Sequence, residues 1–400
     1  MGELAAGVCC AGVKAAKKSP VAAREVAINV VLDIGKYCGI PCVGRQIEGW
    51  LARKRSLRYN GCACEETNAM NYRRFGRTGW KVSEIGYGMW GLAGWTGSDD
   101  TESLASLRRS IELGCNFFDT AWAYGDGKSE EILGKIVREF KGNASVGGPD
   151  KHLYVATKIP PKNRRWPSRR DFTLDDCYPP EYIEEYIEKS LKNLGLETID
   201  LMQLHTWEDR WLTDERLPRA IEKMKKSGKV RAFGPSMNRW EPSNGIRAVL
   251  EGHAEAVQVI YNIFDQNPED ALFPICRMKE AAVIARVPFD EGTLTGTLTL
   301  DTKWPTGDWR NTYFVAENLK SSVEHAEALR PLVPAGSTMA EMALRFILNN
   351  LDVGTIIPGM RKLKNVEANI AAGKAGGLPA DLHKKLRGHR WDRNPTTWSQ

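Results

Sequence analysis

From residue 85 onward the chain alternates between two rhythms. Short apolar runs rich in β-branched residues are followed by stretches in which apolar positions recur three and four apart. The runs read as buried strands and the stretches between them as amphipathic helices. Candidate strands are Ile85–Met89, Asn116–Asp119, Leu153–Ile159, Ile199–His205, Val230–Phe233, Ala256–Tyr261, Ala282–Ala285 and Gly354–Ile357. Helical spacing covers Thr101–Leu113, Ser129–Phe140, Pro180–Leu194, Leu217–Lys226 and Met339–Asn349. Pro180 suits a first helical turn, and Gly195 follows the last apolar position as a stop. Eight such alternations predict a closed (β/α)8 barrel of the α/β class rather than an open sheet. The tail from Leu378 to Gln400 is expected outside the barrel as a last helix and a loop.

The first 69 residues break this pattern. They hold ten of the 56 basic and six of the 50 acidic side chains, and six of the nine cysteines. Val21–Tyr37 has the spacing of a short amphipathic helix, and Arg53 to Arg58 is a basic cluster. Residues 1–69 are therefore expected to be either a disordered or poorly packed extension or an over-extended start, with residues 70–400 as the barrel. The charge left to that body is +2 of the total +6, which gives no footprint for nucleic acid. Its three scattered cysteines, Cys115, Cys177 and Cys276, suit reduced thiols in a cytoplasmic enzyme. Arg24, Glu25, Asp33 and Lys36 interrupt the longest apolar candidate, so neither a membrane span nor a signal peptide is expected. The early cysteines lack the paired spacing of a zinc site, and no metal is expected.

Chemistry gathers at three strand ends. The stretch N-F-F-D-T-A-W-A-Y-G carries Asp119 and Tyr124, L-Y-V-A-T-K-I carries Lys158, and I-D-L-M-Q-L-H ends on His205. A free phenol titrates near pH ~10 and donates poorly at neutral pH. A neighbouring ammonium favours the phenolate, so Lys158, held by Asp119, is expected to lower the pKa of Tyr124. Tyr124 then acts as general acid while His205 hydrogen-bonds a carbonyl oxygen. Such a set suits protonating an oxygen as a hydride reaches its carbon.

In order and spacing, D-T-A-x-x-Y-G, A-T-K and L-M-Q-L-H resemble the aldo/keto reductases, and the resemblance runs from Met70 to about the C-terminus. The opening M-N-Y-R-R-F-G-R-T-G-W resembles the usual start of that family. It implies that Tyr72–Phe75 and Trp80–Val82 form a hairpin plugging the barrel.

The family implies NADP(H) as cofactor and assigns contacts to it. Ser236 and Asn238, in V-R-A-F-G-P-S-M-N, and Gln258, in A-V-Q-V-I-Y-N, match positions that hold the nicotinamide carboxamide. Trp90 and Asp119 are also expected among the cofactor contacts. I-A-R-V-P-F-D-E-G-T-L-T-G occupies the place of the loop around the pyrophosphate, with Arg286, Gly292 and Leu294 as contacts. Many relatives have Ser-Pro-Leu where this chain has Val287-Pro-Phe289, which removes one hydroxyl. T-I-I-P-G-M-R-K-L-K-N-V-E-A-N resembles the segment at the adenosine end, where Gly359, Arg361, Asn365 and Asn369 match. A helix N-terminus beside a forked guanidinium suits a 2′-phosphate. Ala368 stands where a Glu is common.

Two other fingerprints are set aside. Gly86, Gly88 and Gly91 spell G-x-G-x-x-G, but a loop rather than a helix follows. Tyr124 and Lys128 have Y-x-x-x-K spacing, but Gly125 and Gly127 argue against the one helical turn it requires. Trp90 and Trp122 are candidate walls for a small-molecule carbonyl substrate, an aldehyde, ketone or sugar. Arg164, Arg165, Arg169 and Arg170 form a basic loop after Lys158. A non-catalytic cofactor-binding role, like that of potassium-channel β subunits, remains the alternative. An aldolase using Lys158 as a Schiff base is a weaker third, since a lysine paired with Asp119 stays charged.

Overall fold

The computed structural model describes residues 70–93, 99–239 and 241–393. The extension of residues 1–69, with its expected helix at Val21–Tyr37, lies outside the described residues. A division of the chain into two units falls between Thr67 and Asn68.

The described chain opens with an antiparallel hairpin, β1 (Tyr72–Arg74) and β2 (Lys81–Ser83). Eight parallel strands follow: β3 (Tyr87–Gly88), β4 (Phe117–Asp119), β5 (Tyr154–Ile159), β6 (Ile199–Leu204), β7 (Val230–Pro235), β8 (Ala256–Ile260), β9 (Ala282–Arg286) and β10 (Val353–Ile356). Strands β3 to β7 pair in sequence, as do β8, β9 and β10. Parallel bridges Ser236–Gln258, Ile85–Ile356 and Gly88–Gly359 join the two arcs into a ring. The expected barrel is what the chain forms.

Gly88 makes the last closure possible. A Cβ there would sit 2.6 Å from the Ile357 carbonyl oxygen, so the G-x-G stretch serves close strand approach.

Between the strands run α1 (Asp100–Glu112), α2 (Lys128–Glu139), α3 (Pro180–Leu194), α4 (Arg216–Lys226), α5 (Ile246–Leu250), α6 (Leu272–Lys279), α7 (Ala316–Leu329), α8 (Met339–Leu348), α9 (Leu363–Lys374) and α10 (Ala380–Arg387). Asp99 caps α1 through its carboxylate, and Thr338 caps α8. Gly127 precedes α2 in a left-handed conformation, so Tyr124 lies in the turn before that helix and Lys128 opens it. Before α7 a segment not foreseen from the sequence builds a small core from Tyr313, Phe314 and Leu319, with Trp304 and Trp309 against it.

Strand parity organises the core. Phe117, Ala156, Leu201, Ala232, Ala256, Ala282 and Ile284 form one buried cluster with Phe75, Trp80 and Val82 of the hairpin region. Their neighbours Phe118, Val155, Met202, Phe233, Val257 and Val283 belong to the other cluster, shared with the helices. The first set faces the barrel axis and the second faces outward, as the period of two requires. Four alanines on the inner face leave room for the plug, where Trp80 stacks on Tyr154 at 4.9 Å and Phe75 meets Phe117 at 5.3 Å.

Candidate active site

Continuing each inward set by two or four residues toward the carboxyl end of its strand replaces hydrocarbon with polar groups. Phe117 leads to Asp119, Ala156 to Lys158, Leu201 to Gln203 and then His205, Ala232 to Ser236, Ala256 to Gln258, and Ile284 to Arg286. Because successive inward residues stack in layers, these side chains converge above the hydrocarbon plug.

Lys158 is the centre of the layer. Its side chain has no exposed surface, and its Nζ donates to Asp119 Oδ1 at 2.5 Å, to the Thr120 carbonyl at 2.8 Å and to Tyr124 Oη at 3.4 Å. All three ammonium protons thus have acceptors. The second carboxylate oxygen of Asp119 accepts from Gln258 Nε2 at 2.7 Å and Gln203 Nε2 at 3.1 Å. Burial pushes the lysine pKa down, but Asp119 and then Tyr124 push it up by more, and it ends above its ordinary value. Lys158 is therefore an ammonium, which removes the amine that a Schiff base needs.

Tyr124 differs from the sequence-based expectation. Burial raises its pKa, Lys158 lowers it, Asp119 raises it again, and the net direction is upward. Desolvation of a phenolate outweighs one ammonium that already has a carboxylate partner. Tyr124 is thus a protonated phenol poised against a cation, not one half-ionised near neutrality.

His205 lies with its ring 5.6 Å from that of Tyr124, nearly perpendicular to it. Burial holds its pKa well below the usual 6.5, reinforced by the charges of Lys158 and Arg286, so the imidazole is neutral. Its Nδ1 is buried without a hydrogen-bond partner among the described residues. Trp166, not singled out from the sequence, presents its indole edge-on to His205 at 5.7 Å. It lies within the basic loop rather than at a strand end, so no strand rhythm marks it. Gln203 was missed as well, although the parity that gives Asp119 and Lys158 also gives Gln203.

The candidate walls sit differently. Trp90 is 42% exposed and meets Trp309 edge-on at 5.1 Å. Trp122 is held by Tyr186 at 5.0 Å and by the Arg164 guanidinium at 4.8 Å. In the same loop Arg169 pairs with Asp171 and Arg170 with Glu241.

Among the expected cofactor contacts, Ser236 is buried at the Gln258 bridge. Gln258 itself is turned to Asp119. Asn238 directs its amide nitrogen to Glu208 Oε1 at 3.2 Å and to the Trp207 and Ser168 carbonyls. Arg286 donates to the Met237 carbonyl at 3.0 Å, while its Nε has no partner among the described residues. Leu294 is buried, and Gly292 holds φ at 118°. Gly359 bridges to Gly88, Arg361 precedes α9, and Asn365 and Asn369 lie one turn apart on that helix. Asn369 is buried and its Nδ2 is unpartnered.

Buried polar groups are normally satisfied. Here His205 Nδ1, Arg286 Nε and Asn369 Nδ2 stand unpaired at the substrate, pyrophosphate and adenosine positions expected above. A dinucleotide offers acceptors and donors to such groups, so the residues present fit one. No cluster of metal-ligating side chains occurs among the described residues, and none of their helices is long and apolar enough to cross a membrane.

Comparison with known proteins agrees with this arrangement. The Aldo/keto reductase family matches residues 84–390. The aldo-keto reductase yakc [NADP(+)] of Schizosaccharomyces pombe is 29% identical over 298 residues, 73% of this chain and 84% of its own. The NADH-specific methylglyoxal reductase of Escherichia coli is 29% identical over 311 residues, 74% of this chain and 91% of its own. Among solved structures, the glycerol dehydrogenase AKR11B4 from Gluconobacter oxydans superposes with a TM-score of 0.64 at 25% identity, covering 82% of this chain and 98% of that one. With the family matched across the whole barrel and its strand-end residues converging on one buried ammonium, the chain belongs to the aldo/keto reductases and is an NAD(P)H-dependent oxidoreductase.

Proposed function

We propose that the protein is an NADPH-dependent carbonyl reductase acting on small aldehydes, ketones or sugar carbonyls, with Tyr124 as its general acid. One observation carries this reading: Lys158 Nζ lies between the Asp119 carboxylate and the Tyr124 hydroxyl, fully buried. The cofactor, when bound, supplies a hydride to the carbonyl carbon. Tyr124 gives its proton to the developing alkoxide, and the phenolate left behind is stabilised by the adjacent ammonium. Asp119 keeps Lys158 charged and in place, and Gln203 and Gln258 keep Asp119 in place. Neutral His205 donates to the substrate oxygen and orients it, with Trp166 bordering the same space. Ser236, Asn238 and Gln258 serve the nicotinamide end, and Arg286, Gly292 and Leu294 the pyrophosphate. At the adenosine end Arg361, beside the start of α9 with Asn365 and Asn369, favours a 2′-phosphate.

The direct assay follows absorbance at 340 nm with NADPH and a panel of aldehydes, ketones and sugars. Turnover is the expected result; binding of NADPH without oxidation across the panel would leave a cofactor-binding role instead. The NADPH preference rests on Arg361, because one relative's name carries NADP(+) and another's is NADH-specific. A guanidinium–phosphate bond is worth ~1.5–3 kcal/mol, so Arg361→Ala is expected to weaken NADPH about 10- to 100-fold and NADH little. Fluorescence titration of both cofactors measures this. Equal weakening of the two would assign Arg361 to the fold or the pyrophosphate.

A further inference from the structure

The segment after β9 is held in an unfavourable backbone conformation. Val287, Asp290 and Glu291 have φ of 53°, 45° and 57°. A β-branched residue is a rare occupant of that region, and such a conformation persists only where its surroundings over-determine it. Here the surroundings are ionic and buried. Asp290, with no exposed surface, accepts from Arg239 Nη2 at 2.9 Å and from both terminal nitrogens of Arg393, at 2.8 and 3.2 Å. Glu291 accepts from Arg239 Nη1 at 3.2 Å. Arg393 also reaches Asp265 Oδ2 at 2.7 Å, and that same oxygen accepts from Asn262 Nδ2, which in turn donates to the Val287 carbonyl. Arg393 thus closes a circuit around both ends of the turn.

Arg393 is presented by the end of the described chain, three residues past the family match. Its guanidinium lies 4.5 Å over the Trp391 ring. Trp391 stacks on His325 of α7 at 3.8 Å, and its backbone N–H donates to the Phe264 carbonyl. The arginine is therefore fixed from behind before it reaches Asp290.

We infer that Arg393 is a positioning residue for the cofactor: the C-terminal strap 391–393 latches the turn 287–292 in the form that receives the pyrophosphate. The inference rests on the proposed reading that Arg286, Gly292 and Leu294 serve that group. Arg393 reaches this turn through Asp290. Without it, Asp265, Asp290 and Glu291 would face Arg239 alone among the arginines of this circuit, and the turn would relax from its left-handed conformation. Apparent affinity falls in proportion to the population of the competent form, so a drop of that population to about a tenth raises Kd about tenfold.

The test is Arg393→Gln in the full chain, with Arg393→Lys and Arg390→Gln beside it. Arg390 lies on the same tail but pairs with Asp270 and Asp392, outside the circuit. Arg393→Gln is expected to raise the NADPH Kd about tenfold, with kcat at saturating NADPH within about twofold of the parent. Amide exchange of residues 287–296 should accelerate. Arg393→Lys, which keeps the charge without the fork, should recover part of the affinity, and Arg390→Gln should leave Kd unchanged. If Arg393→Gln does not fold, Arg393→Lys gives the same reading at smaller amplitude. An unchanged Kd and exchange rate, with only a lower Tm, overturns the latch and leaves Arg393 structural. A parent that binds neither NADPH nor NADH overturns the cofactor reading itself.

Discussion

A lysine with no surface, ringed by a carboxylate, a carbonyl and a phenol, sits at the centre of a site whose protonation states are set chiefly by burial. Lys158 stays charged and His205 stays neutral, and burial holds the Tyr124 phenol above its ordinary pKa. These directions set a pH dependence. The folded pKa of His205 is depressed, so its neutral form persists as pH falls through the unfolded value; stability declines below that value, where the unfolded chain takes up the proton first. The folded pKa of Tyr124 is raised, so the phenol keeps its proton through neutral and mildly alkaline pH, and stability is lost only above its ordinary value. The expected kcat for carbonyl reduction is therefore flat between about pH 6.5 and 9, bracketed by the ordinary values of the two groups. An inflection near neutrality in the kcat profile would mean that one of them titrates there after all. Sequence spacing marked both residues as candidates. It gave the opposite sign for Tyr124, because burial is a property of the assembled barrel and outweighs the one neighbour visible in the sequence.

At the scale of elements, hydrophobic rhythm carried most of the architecture. The expected α3 coincides with Pro180–Leu194, and each of the eight expected strands contains or overlaps an observed one or its bridge. Period two also decides the site: once Ala156 and Leu201 face inward, Lys158, Gln203 and His205 must follow. What escaped is what has no rhythm. Trp166 sits on a loop, the small core around Tyr313 forms from scattered aromatics, and the strap at Arg393 is a set of side-chain contacts made by the tail. The G-x-G-x-x-G pattern shows the opposite hazard, since Gly88 serves barrel closure. Gly88→Ala places a methyl against the backbone of Ile357, where no side chain can yield. Overpacking of this kind costs about 1–3 kcal/mol, so the variant is expected to lose a few degrees of Tm. Differential scanning calorimetry reads this, and an unchanged Tm would show that β3 and β10 can part without loss.

For the whole molecule, residues 70–400 are proposed as the functional unit. The family match spans residues 84–390. A chain starting at Met70 is expected to fold and to bind NADPH as the full chain does; insolubility or a much lower Tm would show that residues 1–69 support the barrel. Within that unit the central claim is the proton donor. Lys158→Met is a poor probe of it, because an unpaired buried Asp119 costs about 3–5 kcal/mol and mixes folding with chemistry. Tyr124→Phe removes a single oxygen and keeps the ring against His205. General acid catalysis supplies ~10²–10⁴-fold, so kcat for aldehyde reduction with saturating NADPH should fall by that factor, with the NADPH Kd within about twofold of the parent. A Tyr124→Phe enzyme that keeps more than about a tenth of the parental kcat would contradict the account, since general acid loss is worth at least ~10²-fold and the proton would have to come from elsewhere.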